Sequence, residues 1–292
     1  MSLVDLHIHT SDSDGKYTPA EVVTRAAHAG LKLIAICDHD TINGIVPALE
    51  AVSKFPSLTL IPGVEISTDV PSGEVHILGY FIDYKDGELG GILAGMRNAR
   101  IERAHKMIDK LAGLGVKIDW PRVREIAGSG TVGRPHIAQA MLEKGYIFSI
   151  KDAFVQYIGR GGPAYVQWEK MTPEMAVALV VRSHGLPVLA HPLTANSPEA
   201  LVAELVPAGL TGIEAFYNDN SAEQVTWALN LARRNNLLVT GGSDYHGLDE
   251  TAETPIGGAP VPEWVAEKLI ALARERNIGF PVTLKPEAAP KK

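Results

Sequence analysis

The stretch Leu3-Val4-Asp5-Leu6-His7-Ile8-His9-Thr10-Ser11-Asp12 decides how the chain is read. A short apolar run carries two histidines one residue apart. On a strand, residues i and i+2 point to the same face, so His7 and His9 aim the same way at the strand's end. Imidazole is the commonest metal ligand among side chains. Two imidazoles on one rigid strand are half of a metal site. Two polar residues on the solvent face of an ordinary strand would give the same letters, so the rest of the chain has to decide.

Moving outward, apolar runs alternate with helical patterns. Thr18-Pro19-Ala20-Glu21 reads as a capped helix start, with Thr18 as N-cap, Pro19 at the first helical position and Glu21 closing a capping box. Leu33 to Cys37 is a buried strand followed by Asp38-His39-Asp40, and Leu58 to Ile61 leads into Gly63-Val64-Glu65-Ile66. Glu74 to Tyr80 is a further strand containing His76. Later strands end in Ala190-His191-Pro192, in Gly212 to Phe216 and in Gly242-Ser243-Asp244-Tyr245-His246. Continuous apolar strands alternating with helices predict an α/β fold with a parallel sheet covered on both sides. Residues 88–165 interrupt the alternation with helical patterns only. They are expected to be a helical insertion between two barrel-forming parts, 1–87 and 166–292.

Composition narrows the function class. The 292 residues are 46% hydrophobic, with net charge −7 and a single cysteine, Cys37. A pI near 5.8 argues against a broad nucleic-acid-binding face. No apolar run reaches the roughly 20 residues of a membrane span. No secretory signal pattern is evident and one cysteine permits no intrachain disulfide, so a reducing cytoplasm is the expected setting. Cys37 reads as a small buried hydrophobe. His28 and His184 close helices, where an imidazole suits the helix dipole.

Six of the remaining histidines and three acids share a placement rule. His7, His9, Asp38, His39, Glu65, His76, His191, Asp244 and His246 fall at or near the C-terminal ends of apolar runs. Parallel α/β barrels and open sheets build their sites there. Several segments obeying one rule with only His, Asp and Glu predict a multinuclear metal site.

These motifs also resemble a known family. His7-Ile8-His9-Thr10, Cys37-Asp38-His39-Asp40, Gly63-Val64-Glu65-Ile66-Ser67, Ala190-His191-Pro192 and Gly242-Ser243-Asp244-Tyr245-His246 resemble the PHP (polymerase and histidinol phosphatase) superfamily of metal-dependent phosphoesterases. The resemblance implies a distorted (β/α)7 barrel with two or three divalent ions. Manganese is the expected ion, with zinc, iron and magnesium compatible. One ion is expected on His7, His9, Glu65 and Asp244, with Glu65 bridging to a second on His76 and His191. A third is expected on Asp14, His39 and His246. Some family members have histidine at the position of Asp14, and Asp12 is an acidic neighbour that could replace it. Asp38 is expected to orient a ligand histidine.

A His-x-His start is shared with amidohydrolases, which usually bridge two metals with a modified lysine. Here Glu65 fills that role, favouring phosphate esters. The insertion adds anion-binding chemistry. Arg134 and Pro135 open a helix behind the glycine-rich Gly128-Ser129-Gly130-Thr131-Val132-Gly133, so free N–H groups, the helix dipole and a guanidinium fork converge. His136 adds a donor. Arg97, Arg100, Arg103 and Lys106 recur near one helical stripe that is either a solvated face or turned to the cleft. Tyr217, Asn218 and Trp168 are further candidates for the pocket lining.

The expected chemistry is hydrolysis by a hydroxide bridging the metals, held by the catalytic set His7, His9, Glu65 and Asp244. The proton for the leaving oxygen is expected from water or a site histidine. The insertion with Gly133-Arg134-Pro135-His136 resembles the small-phosphoesterase branch of the superfamily. That branch implies removal of the 3′-phosphate from nucleoside 3′,5′-bisphosphates, giving the 5′-nucleotide. The alternative is a 5′→3′ exoribonuclease acting on short RNA. Histidinol phosphate is a weaker third substrate, and a non-catalytic nucleotide-binding module is the rival from another class. The expected partner is a small nucleotide, with no extended nucleic-acid surface and no membrane.

Overall fold

A computed structural model describes residues 2–70, 73–128, 132–167, 171–218, 220–248 and 253–279. In chain order the elements begin β1 (Val4–Ile8), α1 (Pro19–His28), β2 (Leu33–Ile36), α2 (Ile45–Val52), β3 (Thr59–Val70) and β4 (Gly73–Tyr80). The helical stretch follows as α3 (Gly87–Gly113), α4 (Trp120–Ala127), α5 (Arg134–Glu143) and α6 (Ile150–Ala153). The alternation resumes with α7 (Pro173–Arg182), β5 (Leu186–Leu189), α8 (Pro198–Ala208), β6 (Gly212–Tyr217), α9 (Ala222–Arg234), β7 (Leu238–Gly242) and α10 (Glu263–Glu275).

The seven strands lie side by side in sequence order, β1 to β7. The circle nearly closes between β7 and β1. Ile8 bridges Tyr245 in parallel, the His9 amide donates to the Tyr245 carbonyl at 3.0 Å, and the Asp244 amide donates to the His7 carbonyl at 2.9 Å. The result is the expected distorted (β/α)7 barrel. No described helix is long and apolar enough to cross a membrane.

The all-parallel expectation fails at one strand. β4 is antiparallel to both β3 and β5. The reason is the connection. Val70 pairs with Gly73 across the tip of β3 and β4, and a link that short makes a hairpin, whereas a parallel crossover needs a dozen residues or more. The reversal matters for the site. His76 sits near the start of β4, but it pairs with Ser67, two residues beyond Glu65 on β3. Running β4 backwards therefore brings its N-terminal half to the barrel end where the parallel strands finish.

Packing divides into separate hydrophobic clusters. The largest lies among the strands and their covering helices, and a further one joins β1 and β2 to α1 and α2. Another is built entirely from residues 104–164, with Met107, Leu111, Val123, Ile137, Met141 and Ile158 at its centre. Residues 150–158 form a single α-turn followed by a π-helical turn, Phe154–Ile158, closed by the Gly159 amide on the Phe154 carbonyl at 2.9 Å. The predicted cap at Thr18 forms, and Ser221 caps α9 in the same way, each side-chain oxygen accepting from the backbone three residues on. Cys37 is fully buried, as expected, with its thiol donating to the Leu6 carbonyl.

Barrel closure leaves no room at Gly242. A Cβ there would stand 2.5 Å from the His7 Cβ and press on the His7 backbone nitrogen. We expect Gly242→Ala to lower unfolding free energy by about 1–3 kcal/mol in a urea titration. Because the displaced residue is His7, retention of divalent ions on a desalting column should fall with it.

Candidate metal centre and adjoining cavity

Glu65 is the hub. It is 1% exposed, and its two oxygens serve different sets of histidines. Oε2 lies 3.3 Å from His7 Nε2, 3.3 Å from His9 Nε2 and 3.2 Å from His39 Nδ1. Oε1 lies 2.9 Å from His76 Nδ1 and 3.1 Å from His191 Nε2. Asp244 Oδ1 completes the first set, 3.3 Å from His7 Nε2 and 3.0 Å from His9 Nε2.

Asp14 gathers the third set. Its oxygens lie 3.7 Å from His9 Nδ1, 3.7 Å from His39 Nε2 and 3.4 Å from His246 Nε2. Every residue named from the sequence as a metal ligand therefore reaches one cluster, and Asp14 rather than Asp12 stands in it. The grouping is more shared than expected. His9 belongs to the Asp14 set as well as to its own, and His39 also stands within ligand distance of Glu65 and His76.

These side chains fit divalent ions on three grounds. The donor set is imidazole and carboxylate, which suits several divalent metals. His7 Nε2, both ring nitrogens of His9 and His39 Nδ1 are buried without a hydrogen-bond partner. His9 Nε2 is only 3.0 Å from Asp244, yet the direction is wrong for a hydrogen bond. Buried polar atoms are rarely left so unless something else occupies them. Third, the outer nitrogens are already engaged. His7 Nδ1 faces Glu214 Oε1 at 3.0 Å. His246 Nδ1 donates to the Asp244 carbonyl at 2.8 Å. His191 Nδ1 donates to Thr194 Oγ1, whose own proton goes to the His191 carbonyl. Each arrangement places the proton on Nδ1 and turns the Nε2 lone pair inward, as second-sphere partners do for metal-binding histidines.

Electrostatics agree. Burial opposes charge on His9, but Asp244 and Glu65 outweigh it and lift its pKa to about 10. Burial drives His39 down to about 4 despite Glu65 and Asp14. Burial would also raise Asp14, Glu65 and Asp244, yet the surrounding histidines hold all three carboxyls well below their usual range. The carboxylates are thus ionised, and they compensate whatever positive charge the site holds.

Left-handed backbone occurs at three residues of the site. Asp40, His191 and Asp244 have φ of 52°, 27° and 52°, a left-handed region that costs non-glycine residues of order 1–3 kcal/mol. In each the amide is tied to a neighbour in the site. Asp40 donates to the Glu65 carbonyl at 2.9 Å, His191 to Glu214 Oε2 at 2.9 Å and Asp244 to the His7 carbonyl at 2.9 Å. These bonds fix the turns that follow β2, β5 and β7.

Two expectations need correction or sharpening. Asp38 orients no ligand histidine. Its carboxylate accepts from the Thr10 amide at 2.7 Å, the Thr10 hydroxyl at 2.7 Å and the Ser13 hydroxyl at 2.6 Å. A short carboxylate best reaches the loop beside it, so Asp38 shapes the Thr10–Ser13 turn that carries Asp14. The arginine stripe on α3 is not merely solvated. Arg97 Nη1 donates to the Asp40 carbonyl and Arg100 Nη2 to Asp40 Oδ2, both at 2.6 Å, while Asp40 Oδ1 accepts from the Ser67 amide at 2.8 Å. Arg103 Nε donates to the Val166 carbonyl at 2.9 Å. The stripe ties the first helix of the helical segment to the residue after His39.

Sequence reading missed Glu214. It is fully buried and spans two ligands, His7 through the ring and His191 through the backbone. A lone glutamate inside the apolar run Gly212–Tyr217 was its signal. Asp5 was missed for the same reason. It accepts from the Ser243 hydroxyl at 2.7 Å and the Ser243 amide at 2.9 Å, anchoring the turn before Asp244. Tyr217 does reach the site, its hydroxyl donating to Asp244 Oδ2 at 2.9 Å. Asn218 accepts from the Thr254 hydroxyl. Trp168 and residues 129–131 lie outside the described residues.

A cavity of about 880 Å³ opens over this cluster. Asp14, His39 and His76 line it, and so do Arg100, Arg103, Arg134 and His136 from the helical segment. Gly133 has no side chain to cap α5, and His136 reaches back instead, its Nδ1 accepting from the Gly133 amide at 2.9 Å. Neutral His136 therefore carries its proton on Nε2. Burial pushes its pKa down, and Arg100 works in the same sense against Asp14, so it stays an uncharged donor. Arg134 lies 5.5 Å over the Phe154 ring.

The PHP domain family matches residues 5–151. The chain belongs to that family. It is 35% identical to the 5′-3′ exoribonuclease Rnm of Escherichia coli, over 84% of this chain and 85% of the relative. It is 31% identical to a 3′,5′-nucleoside bisphosphate phosphatase of Chromobacterium violaceum, over 86% of this chain and 89% of the relative. A solved structure from Bifidobacterium adolescentis, provisionally described as a metal-dependent phosphoesterase, superposes with a TM-score of 0.77 at 30% identity, covering 92% of this chain and 95% of that one. The PHP barrel, the clustered candidate ligands and these relatives make the chain a metal-dependent phosphoesterase and a hydrolase, which retires the non-catalytic alternative.

Partners behind metal-binding histidines typically contribute 10–100-fold to metal affinity. Glu214→Gln keeps the size of the side chain but removes its charge. In a chelator-competition titration we expect divalent-ion affinity to drop by about that factor, with the circular-dichroism spectrum unchanged.

Proposed function

We propose that this phosphoesterase removes the 3′-phosphate from nucleoside 3′,5′-bisphosphates, leaving the 5′-nucleotide, with residues 88–165 as the cap that reads the substrate. The observation that carries this reading is the cavity's two-ended polarity. One end is the Glu65 cluster, suited to a reacting phosphoryl group. The other is Arg134 and His136 at the N-terminus of α5, suited to a second anion. A substrate with two phosphates on one ribose matches both ends.

Charge supports the same division. Residues 88–165 hold twelve Lys and Arg against seven Asp and Glu, a net +5, so the remainder of a chain of net −7 carries −12. The helical segment is therefore the part of the chain whose net charge attracts anions.

When bound, divalent ions, with manganese the expected one, supply an activated water and neutralise charge on the transferring group. The chain's own residues do the rest. His7, His9 and Asp244 fix one side of Glu65, while His76 and His191 fix the other. Asp14, His39 and His246 extend the cluster into the cavity. Arg134 and the Nε2–H of His136 hold the non-reacting phosphate, so binding energy remote from the reacting bond orients the ester for in-line attack. Tyr217 stays protonated. Burial and Asp244 raise its pKa, and it keeps Asp244 turned toward His7 and His9.

The second reading is a 5′→3′ exoribonuclease on short RNA, favoured by the resemblance to the Escherichia coli enzyme. A terminal 5′-phosphate on Arg134 and His136 would place the next phosphodiester at the metal cluster, so both readings use one geometry. A phosphate-release screen with Mn²⁺, Mg²⁺ or Zn²⁺ across nucleotides and short oligoribonucleotides separates them. Faster turnover of the bisphosphate is the expected result, and faster release of mononucleotides from RNA would replace it by the second reading.

Two substitutions probe the ends of the cavity. His9→Asn should abolish turnover, since His9 stands in two of the ligand groups, while the thermal unfolding midpoint of the metal-free protein changes little. Arg134→Ala should raise KM for the bisphosphate at least tenfold and leave a simple monophosphate ester within about twofold, because a charge-assisted bond to the second phosphate is what it removes. Equal losses for both esters would place Arg134 at the reacting phosphate instead.

A further inference from the structure

The cavity wall around Arg134 and His136 is apolar, and the Arg134 guanidinium lies over one of its residues, Phe154, at 5.5 Å. Met107, Ile126, Val132, Ile150 and Phe154 form it, drawn from α3, α4, the loop before α5, α6 and the π-helical turn. Gln139 is the amide on that wall, with its Nε2 donating to Glu143 Oε1 at 3.4 Å. Ile126, Ile150 and Phe154 pack on the second hydrophobic cluster but are only partly buried, and all three line the cavity. Val132 is fully buried and Met107 is 1% exposed, giving the wall a rigid base in the second hydrophobic cluster.

Phe154 is placed by irregular backbone. It opens the π-helical turn Phe154–Ile158, and the next residue, Val155, is 72% exposed. Such turns are uncommon and recur at functional positions. Here the turn separates an aromatic that faces the cavity from a valine that faces solvent.

A cavity that combines a cationic rim with an apolar, aromatic-bearing wall selects a ligand with the same two parts. Ligand sites typically pair an apolar lining with a few placed polar groups. Sugar phosphates would leave this wall wet and unused. We propose that this wall, centred on Phe154 and Ile126, is a nucleobase seat, with the Gln139 amide at the base's polar edge. The seat makes the enzyme discriminate nucleotides from base-free sugar phosphates. It rests on the nucleotide reading above and names the feature that would enforce it.

The test separates the seat from turnover. Calorimetry on the metal-loaded full chain compares adenosine 5′-monophosphate with ribose 5-phosphate, which shares the phosphate and ribose and lacks the base. Stacking and apolar contact with one base correspond to roughly tenfold in affinity or more. Wild type should bind the nucleotide about tenfold tighter than the sugar phosphate. Phe154→Ala and Ile126→Ser, on separate helical segments, should each erase most of that ratio by weakening the nucleotide alone. Equal weakening of both ligands would mean Phe154 acts only by supporting Arg134 and would overturn the seat, as would a wild-type ratio near one. Base-dependent binding without phosphate release from any nucleotide would keep the seat and discard the bisphosphatase reading.

Discussion

One buried carboxylate orders this protein. Glu65 is enclosed midway along β3, and an enclosed anion persists only when its charge is compensated on every side. The compensation arrives as five imidazoles divided between its two oxygens. Those imidazoles come from β1, from the turn after β2, from β4 and from the turn after β5. A carboxylate that faces two groups at once requires the barrel to close around it, and closure in turn depends on the bonds that join β7 to β1 beside His7. The fold and the site are therefore one constraint: strands that failed to converge would leave Glu65 as an uncompensated buried charge.

The reversed strand follows from the same demand. In an all-parallel barrel His76 would sit near the beginning of its strand, far from the ends where the other ligands gather. The β3–β4 hairpin turns that position into an advantage, because antiparallel pairing sets His76 against Ser67 and within 2.9 Å of Glu65. The long return to β5 then passes through the helical segment before the parallel pattern resumes. The helical segment and the hairpin occupy one break in the alternation, and both bring groups to the same end of the barrel.

Much of this was legible in the residues. His7 and His9 announce themselves because period two is a strong rule on strands, and Asp244 and His246 because they follow an apolar run without interruption. The ligands shared between sets were not legible. That His9 joins both Asp244 and Asp14 depends on which nitrogen faces which oxygen, and that is a property of ring orientation. Glu214 and Asp5 hid inside strands, where a lone acid looks like a surface residue until the opposite face is known to be buried. Asp38 was misread because its nearest neighbours in space are hydroxyls from Thr10 and Ser13, and nothing in its own segment records that. The α3 arginines were ambiguous for a related reason: helical spacing places them on one stripe but cannot say what the stripe meets.

What the stripe meets connects the two halves of the molecule. Arg97 and Arg100 hold both the carbonyl and the carboxylate of Asp40, the residue after His39, and Arg100 also lines the cavity beside His136. Asp40 in turn holds Ser67, two residues beyond Glu65. A chain of direct bonds thus runs from α3 to the backbone just beyond two candidate metal ligands, His39 and Glu65. Asp40 is fully buried and Arg100 largely so, which keeps the pair less exposed to screening than a surface ion pair. The net positive charge of residues 88–165 would draw an anionic ligand, but charge alone fixes no orientation. The Asp40 bonds fix α3 against the barrel, so Arg100 on the cavity wall is held in a set position relative to His39 and Glu65.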